Sequence, residues 1–564
     1  MITRICSPDN LRKLSVTPFI CLVVLAGLVS SVRAGDGLDV LPAKVQLDGN
    51  FSRVQLVVRA ISSNGSVESA KDLTHSATYK SSDREIVTVG ESGQLLAQNN
   101  GEAVVTVSRN GQMVQVPVIV SGVSDTPEVA FDQHITPILS RVGCNMGACH
   151  ASQYGKGGFV LSVFGFEPDK DREAIVRDRQ GRRVNLLDVD RSLFLLKPTM
   201  QVPHGGGKRL DKNSVDYQIL ASWLKNGAPA PPKEMTKITA IRVMPRRRVC
   251  GPEESQQLRV EADYADGQTR DVTAWAKFDT LDDAVVQITP KGLATTSGRG
   301  QAPVMVRFAD QADIATFVVP FSDSVELADW KNQNFVDELA SAKFRELGLE
   351  PSPLADDATF LRRAFLDAIG TLPTPKQTRE FLASTDPDKR DKIIDQLLGL
   401  TGDPKLDIYN DQYAALWTLK WSDLIGNKSQ KLGEQGMWAL HNWIKESFRT
   451  NRPFNEFVHE LVTAKGSIYS NGPANYYRIN GNSTDLAEST AQLFLGVRLQ
   501  CAKCHHHPFE KYSQGDYYGF AAFFSRVGTK NSEDFGLFGR ESVVLVKSSG
   551  SVRHPKTGKV MEPT

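Results

Sequence analysis

Residues 86–107 read IVTVGESGQLLAQNNGEAVVTV, and residues 285–306 read VVQITPKGLATTSGRGQAPVMV. In each, an apolar-rich run (Ile86 to Val89; Val285 to Ile288) leads to a glycine (Gly93; Gly292). A second glycine follows at the same spacing (Gly101; Gly300), and another apolar-rich run closes the unit (Ala103 to Val107; Ala302 to Val306). Alternation at a period of two marks strands with one buried face, and its recurrence marks an internal repeat. Outward from the first copy, Arg53 to Val58 (RVQLVV) alternates in the same way, and Asn110-Gly111 supplies a tight hairpin turn; Asp266-Gly267 does so in the second copy. The chain is therefore multidomain and mixed in fold class, with two all-β sandwiches predicted over residues 36–122 and 236–322.

Between them the pattern changes. Phe131 to Val142 (FDQHITPILSRV) has the spacing of a short amphipathic helix, Val215 to Lys225 predicts a second, and Pro229, Pro231 and Pro232 read as a stiff linker. These bound a small helical domain at 125–231. From about 327 the helical period dominates: Phe360, Leu361, Ala364, Phe365, Ala368 and Ile369 share a face that ends at Gly370. Pro375 opens another helix after Thr374, and Ile393, Ile394, Leu397 and Leu398 stripe the next. Trp417, Trp421, Trp438 and Trp443 are expected in the core of this mainly helical domain, 327–530; the stretch 531–564 reads as a loop-rich tail, frayed or cut short.

The 564 residues suffice for about three to five domains. Lys and Arg total 66 against 65 Asp and Glu, a net charge of +1, which gives no global attraction to nucleic acid or anionic membranes. Arg246-Arg247-Arg248 reads as a solvated strand edge rather than a nucleic-acid patch. Arg4, Arg12 and Lys13 precede the apolar run Val16 to Ser31, and Val32-Arg33-Ala34 has the small residues of a cleavage site. Residues 1–34 are thus expected to be a signal peptide, leaving no transmembrane span after cleavage and an exported protein, periplasmic or on the cell surface. Cys6 and Cys21 leave with it; Cys144, Cys149, Cys250, Cys501 and Cys504 remain, and Cys250 reads as a small buried side chain.

The other four cysteines form two close pairs, each followed by histidine: Cys144-Asn-Met-Gly-Ala-Cys149-His150 and Cys501-Ala-Lys-Cys504-His505. The second is the spacing of c-type haem attachment, in which two thiols reach the vinyl groups and the imidazole reaches the iron. Two other readings stand beside it. A redox disulfide is one, and the other is zinc held by Cys501, Cys504, His505 and His507, with His506 adjacent. The first pair has two extra residues, a bulge expected at Gly147, and reads as a disulfide loop as readily as a haem site. No phosphate loop, nucleophile triad or carboxylate pair emerges, so an enzyme is not assigned.

Resemblances sharpen these readings. The two sandwiches resemble bacterial immunoglobulin-like group 2 domains. The order of the Cys144–His150 loop, Ser192 to Pro198, Met200, His204-Gly205-Gly206-Gly207 and a last helix containing Trp223 resembles a small α-helical cytochrome c domain. That resemblance implies Cys144 and Cys149 as haem thioether positions, His150 as proximal iron ligand, and His204, with Met200 as the alternative, as distal ligand; the glycines would bring backbone close to a flat macrocycle. AFLDAIGTLPTP (364–375), Asn451-Arg452-Pro453-Phe454 and CAKCHHHPFEKYSQGDYYGFAAFF (501–524) resemble the planctomycete cytochrome-type domain of unknown function, family 1549, over roughly 330–530. It implies haem thioethers at Cys501 and Cys504 and His505 on the iron; it identifies no second axial ligand, for which His441 and His459, on predicted helices, are candidates.

The expectation is an exported c-type cytochrome-like protein with one or two haem c groups, carrying electrons to or from a redox protein partner or cell-surface component, with no nucleic-acid partner. Two alternatives stand: a cell-surface binding or scaffold protein whose cysteine pairs are structural disulfides, and a zinc-dependent hydrolase at the Cys501 to His507 cluster.

Overall fold

Alternating side chains in the repeat leave one apolar face per strand, and two such faces must cover each other. The computed structural model describes residues 37–61, 67–231, 238–309, 311–327, 330–505, 507, 512–533 and 541–564; the expected signal segment, with Cys6 and Cys21, and His506 lie outside the described residues. In the first sandwich the sheet order is Val45–Asp48, Gln112–Ser121, Gly101–Arg109, Thr78–Ser81, opposed by Arg53–Gln55, Gln94–Ala97, Val87–Val89. The second sandwich repeats that plan with Arg247–Val249, Gln311–Val319, Gly300–Phe308, Lys277–Thr280 against Ser255–Gln257, Leu293–Thr296, Val286–Ile288. Even the parallel pairing of an early strand with the last recurs, Val45 opposite Val118 and Arg247 opposite Thr316. Asn110-Gly111, with φ of 49° and 81°, turns the longest hairpin as its sequence predicts. Leu47, Leu56, Leu95 and Val105 are wholly buried, each contributing about 2 kcal/mol by removal from water.

The polar positions of the RVQLVV alternation point away from this core, yet they are not in water. Arg53 and Gln55 are 7% and 2% exposed because neighbouring domains cover that face. The Gln55 amide donates to Asp271 Oδ2 at 3.1 Å, and the equivalent Gln257 amide of the second sandwich donates to Asp72 Oδ2 in return. Reciprocal contacts of this kind are those of a two-fold axis, here within one chain. Arg246 of the Arg triplet is solvated as expected, whereas Arg247 and Arg248 are not: they join the same assembly. Arg246 reaches Asp313, Arg247 bridges Glu68 of the first sandwich and Glu346 of the helical domain, and Arg248 is buried against Glu254.

The middle domain, 125–231, is wedged between the sandwiches. Phe131–Ile135 and Thr136–Arg141 form the first helical segment, and Val215–Lys225 has the bounds predicted, with Ser214 accepting from the Tyr217 amide at its start. Phe131, Ile138, Ile219 and Trp223 fill the core, against which Phe51 of the first sandwich and Trp275 of the second also pack. Trp223 Nε1 donates to the Pro229 carbonyl at 3.2 Å, so the expected linker begins packed against the domain. Asp216, 4% exposed, is held by Arg53 of the first sandwich and Arg141.

His134 stands at this interface, edge-on to Trp275 at 5.9 Å, its Nδ1 accepting the Ala130 amide. Burial, with Arg53 and Arg270 nearby, pushes its pKa down to about 4. Folded His134 therefore stays neutral while the unfolded imidazole takes a proton below about pH 6.5, so acidification favours unfolding. From pH 7 to pH 4 this residue is expected to remove about 3 kcal/mol. Urea unfolding across that range checks it: His134→Asn, which keeps an acceptor but cannot be protonated there, should flatten that part of the dependence.

In the helical domain Asp357–Ile369 ends at Gly370 with φ of 71°, Pro375–Ala383 starts from a capping box between Thr374 and Gln377, and Lys389–Leu398 follows, all as read from sequence. Trp421 and Trp443 pack on the core, Trp417 is half-buried and stacks on Phe448, but Trp438 is 54% exposed beside His441. The tail, loop or turn over most of its described residues, also completes the domain through short strands. Ser542–Val546 pairs with Val527–Asn531 and Gly466–Ser467, and Val552–Arg553 pairs with Val560–Met561. Val544 and Val552 are core residues, and Lys556 at the tip of the last hairpin donates to the Phe166 carbonyl of the middle domain.

Candidate functional site

The loop after the first helical segment of the middle domain closes on itself. The His150 amide donates to the Cys144 carbonyl at 3.0 Å and the Cys149 amide to the Met146 carbonyl at 2.9 Å, which draws both thiols and the imidazole to one side. The left-handed glycine that permits this is Gly143, with φ of 81°, and not Gly147, whose φ is not positive. On that side lies a cleft of about 970 Å³, at the upper end of the size of cofactor sites. Cys144, Cys149, His150 and His204 all line it, with Leu139, Phe159, Phe194 and Leu210 among its apolar walls. Met200, 47% exposed, is not among the lining residues.

His150 and His204, both on the cleft wall, have ring centroids 6.4 Å apart and planes 13° from parallel. Two imidazoles on opposite sides of one metal, each bonded at about 2 Å with about 1.2 Å from nitrogen to ring centre, have centroids about 6.4 Å apart. The tautomers fit as well. His150 Nδ1–H donates to the Phe159 carbonyl at 3.1 Å, and His204 Nδ1–H donates to the Gly207 carbonyl at 2.9 Å. Because a carbonyl can only accept, both protons sit on Nδ1, and both Nε2 lone pairs are left for a ligand role, the usual outer support of metal-bound histidine. Burial lowers the His150 pKa, which favours the neutral ring, and pushes the Cys144 thiol up to about 12.

The glycine turn makes room for the imidazole itself. A Cβ at Gly206 would lie 2.9 Å from His204 Cε1 and 3.2 Å from its Nε2. Gly206→Ala is therefore expected to turn the ring away from the cleft, seen as movement of the His204 side-chain resonances in two-dimensional NMR, whereas Gly205→Ala, with nothing within 4 Å of the added atom, leaves them in place. Arg183, nearly buried, lies over the Phe159 ring at 4.4 Å and donates to the Gly158 and Ala174 carbonyls, fixing the loop whose carbonyl orients His150. Sequence reading passed over this arginine and its neighbours Arg179 and Arg182. The signal present was the basic turn Asp178-Arg179-Gln180-Gly181-Arg182-Arg183.

The second motif is placed apart, on the helical domain. Cys501 is on the turn Leu499–Lys503 and half-buried, Cys504 is exposed, and Ala502 packs on Leu499 and Tyr517. Tyr517 donates to Glu488 Oε1 at 2.5 Å and Lys503 pairs with the same carboxylate. His507 Nε2–H donates to the Arg498 carbonyl at 2.9 Å. Among the described residues no three His, Cys, Asp or Glu side chains gather as a metal site. His441 lies against Trp438 and His459 is exposed on Phe454–Thr463. All five described cysteines are free thiols; Cys250, half-buried, packs on the second sandwich's core, and burial raises its thiol pKa.

Residues 335–529 match the family described as "Protein of unknown function (DUF1549)", PSCyt2, the region where that resemblance was expected. No curated protein matches the chain. Among solved structures the chain is similar to "Structure of the S-layer protein SbsC, domains 5-6", at 11% identity over 50% of this chain and 99% of that one with a TM-score of 0.20. It is also similar to "Crystal structure of the S-layer protein rSbsC(31-844)", at 8% identity over 50% of this chain and a TM-score of 0.13, spanning only 25% of that longer chain. At such scores the likeness is too slight to bear on fold or role. No described helix is long and apolar enough to cross a membrane.

Proposed function

We propose that this chain is an exported electron-transfer protein that holds haem c in the cleft of its middle domain, a cytochrome c-like module, by thioethers at Cys144 and Cys149 and axial bonds from His150 and His204. The observation that carries the reading is the imidazole pair, 6.4 Å apart and nearly parallel, with both Nδ1–H groups tied to carbonyls. Haem, when bound, supplies a one-electron iron couple. The chain's own part is to fix both imidazoles, to wall the ring with Leu139, Phe159, Phe194 and Leu210, and to balance its propionates with the cations that line the cleft. Imidazole on both faces favours a lower potential than imidazole with thioether.

We extend the proposal to a second haem at Cys501 and Cys504, with His505 on the iron, on the strength of the CAKCH spacing within the matched family region. A pyridine haemochrome assay of protein matured with a c-type attachment system tests both sites. Two haems per chain are expected, one lost from Cys144→Ala/Cys149→Ala and the other from Cys501→Ala/Cys504→Ala. An unchanged haem content in the first variant would overturn the cleft assignment.

A further inference from the structure

Six cationic side chains line the cleft: Lys156, Arg179, Arg182, Arg183, Lys197 and Arg209. No Asp or Glu lines it. Arg183 is buried beneath the floor, and the other five are exposed. Among the described residues none of the six forms an ion pair with a carboxylate; Lys197 and Arg209 reach the Pro203 and Gly206 carbonyls, at 3.3 and 2.7 Å. Elsewhere in the middle domain Arg141, Lys170, Arg177, Arg191 and Lys208 each have an acidic partner, and the cations without one, such as Arg172, which donates to the Ala228 carbonyl, do not gather at one place. In a chain with a net charge of +1, an uncompensated group of this size is a local feature and not a by-product of composition.

Resting on the haem reading above, we infer that these cations form the docking surface for a redox partner protein with an acidic face. A haem carries two propionates, which neutralise two of the six charges and leave four. The exposed five come from four separate segments around the mouth of the cleft, a spread suited to an extended acidic face rather than to one small anion. Such a face is drawn to the mouth, where a haem edge would be nearest to solvent, and its orientation is set by the same charges. Like-charged proteins are turned away.

The test uses the full matured chain and fluorescently labelled deca-glutamate as the acidic probe, read by anisotropy. Binding is expected, weakening at least about tenfold between about 0.01 and 1 M salt, over which the screening length falls from about 30 to about 3 Å. Arg179→Ala/Arg182→Ala should weaken it comparably, while Lys170→Ala/Arg177→Ala, which removes cations already paired, should not. In parallel, stopped-flow oxidation of the reduced protein by hexacyanoferrate(III) should slow with added salt and slow in the first variant. Deca-glutamate binding that the first variant leaves intact overturns the proposal, as does binding of phosphatidylglycerol vesicles in the absence of peptide binding, which would assign the surface to lipid. A colourless protein defeats the haem reading, whatever the peptide does; on coloured protein this proposal fails if the peptide does not bind or if its binding survives in the first variant.

Discussion

His204→Ala in matured protein is expected to convert the cleft haem from a six-coordinate, low-spin spectrum to a five-coordinate, high-spin one, without loss of covalent haem. On the proposed haem reading the thioethers would depend on Cys144 and Cys149, so the pigment should stay attached while one axial bond is lost. Electron paramagnetic resonance and the visible spectrum read the change directly. Met200→Ala should leave both spectra unaltered, because Met200 is half exposed and does not line the cleft. His204→Met supplies the converse: thioether favours reduced iron, so the midpoint potential should rise by on the order of 0.1 V, a fraction of the roughly 0.8 V that axial ligands command. A wild-type spectrum from His204→Ala, or its conversion by Met200→Ala, would remove His204 from the iron.

Asp216→Ala is expected to destabilise the protein by about 3–5 kcal/mol. Its carboxylate accepts from Arg53 at 3.1 Å through Oδ1 and from Arg141 through Oδ2, and the three side chains are only 5%, 7% and 15% exposed. Removing the anion leaves two guanidinium groups facing one another out of water. Urea unfolding of the full chain should show the loss, and Arg53→Met in the Asp216→Ala background should recover part of it, since one stranded charge is then gone. A much smaller loss in Asp216→Asn, which keeps an acceptor but not the charge, than in Asp216→Ala would point to lost hydrogen bonding rather than to charge.

Local pattern carried much of the fold. The strand repeat, the Asn110-Gly111 turn, the helix Val215–Lys225 and the glycine stop at Gly370 were legible because each follows from neighbours in the chain. What alternation cannot say is whether the face turned away from its own core meets water or another domain. Arg53 and Gln55 look like outward residues of an isolated sandwich, and their partners lie 163 and 216 residues away. Arg248 was misjudged for the same reason, and the strands of the tail were missed because short strands gain their stability only from an edge that is distant in sequence. In the cleft, Cys144, Cys149, His150 and His204 could be named from spacing and family resemblance. The carbonyls of Phe159 and Gly207, which set the tautomers, have no side-chain signature at all.

The exchange of Gln55 with Asp271 and Gln257 with Asp72 has a kinetic corollary. Two modules that grip each other through matching halves would, as separate molecules, associate according to how much of each was present. Joined through the middle domain, each meets its twin at an effective concentration set by the tether, however dilute the chain. The chain thus carries its own dimerisation partner, and the cofactor-sized cleft of the domain wedged between the twins inherits a frame that dilution does not loosen.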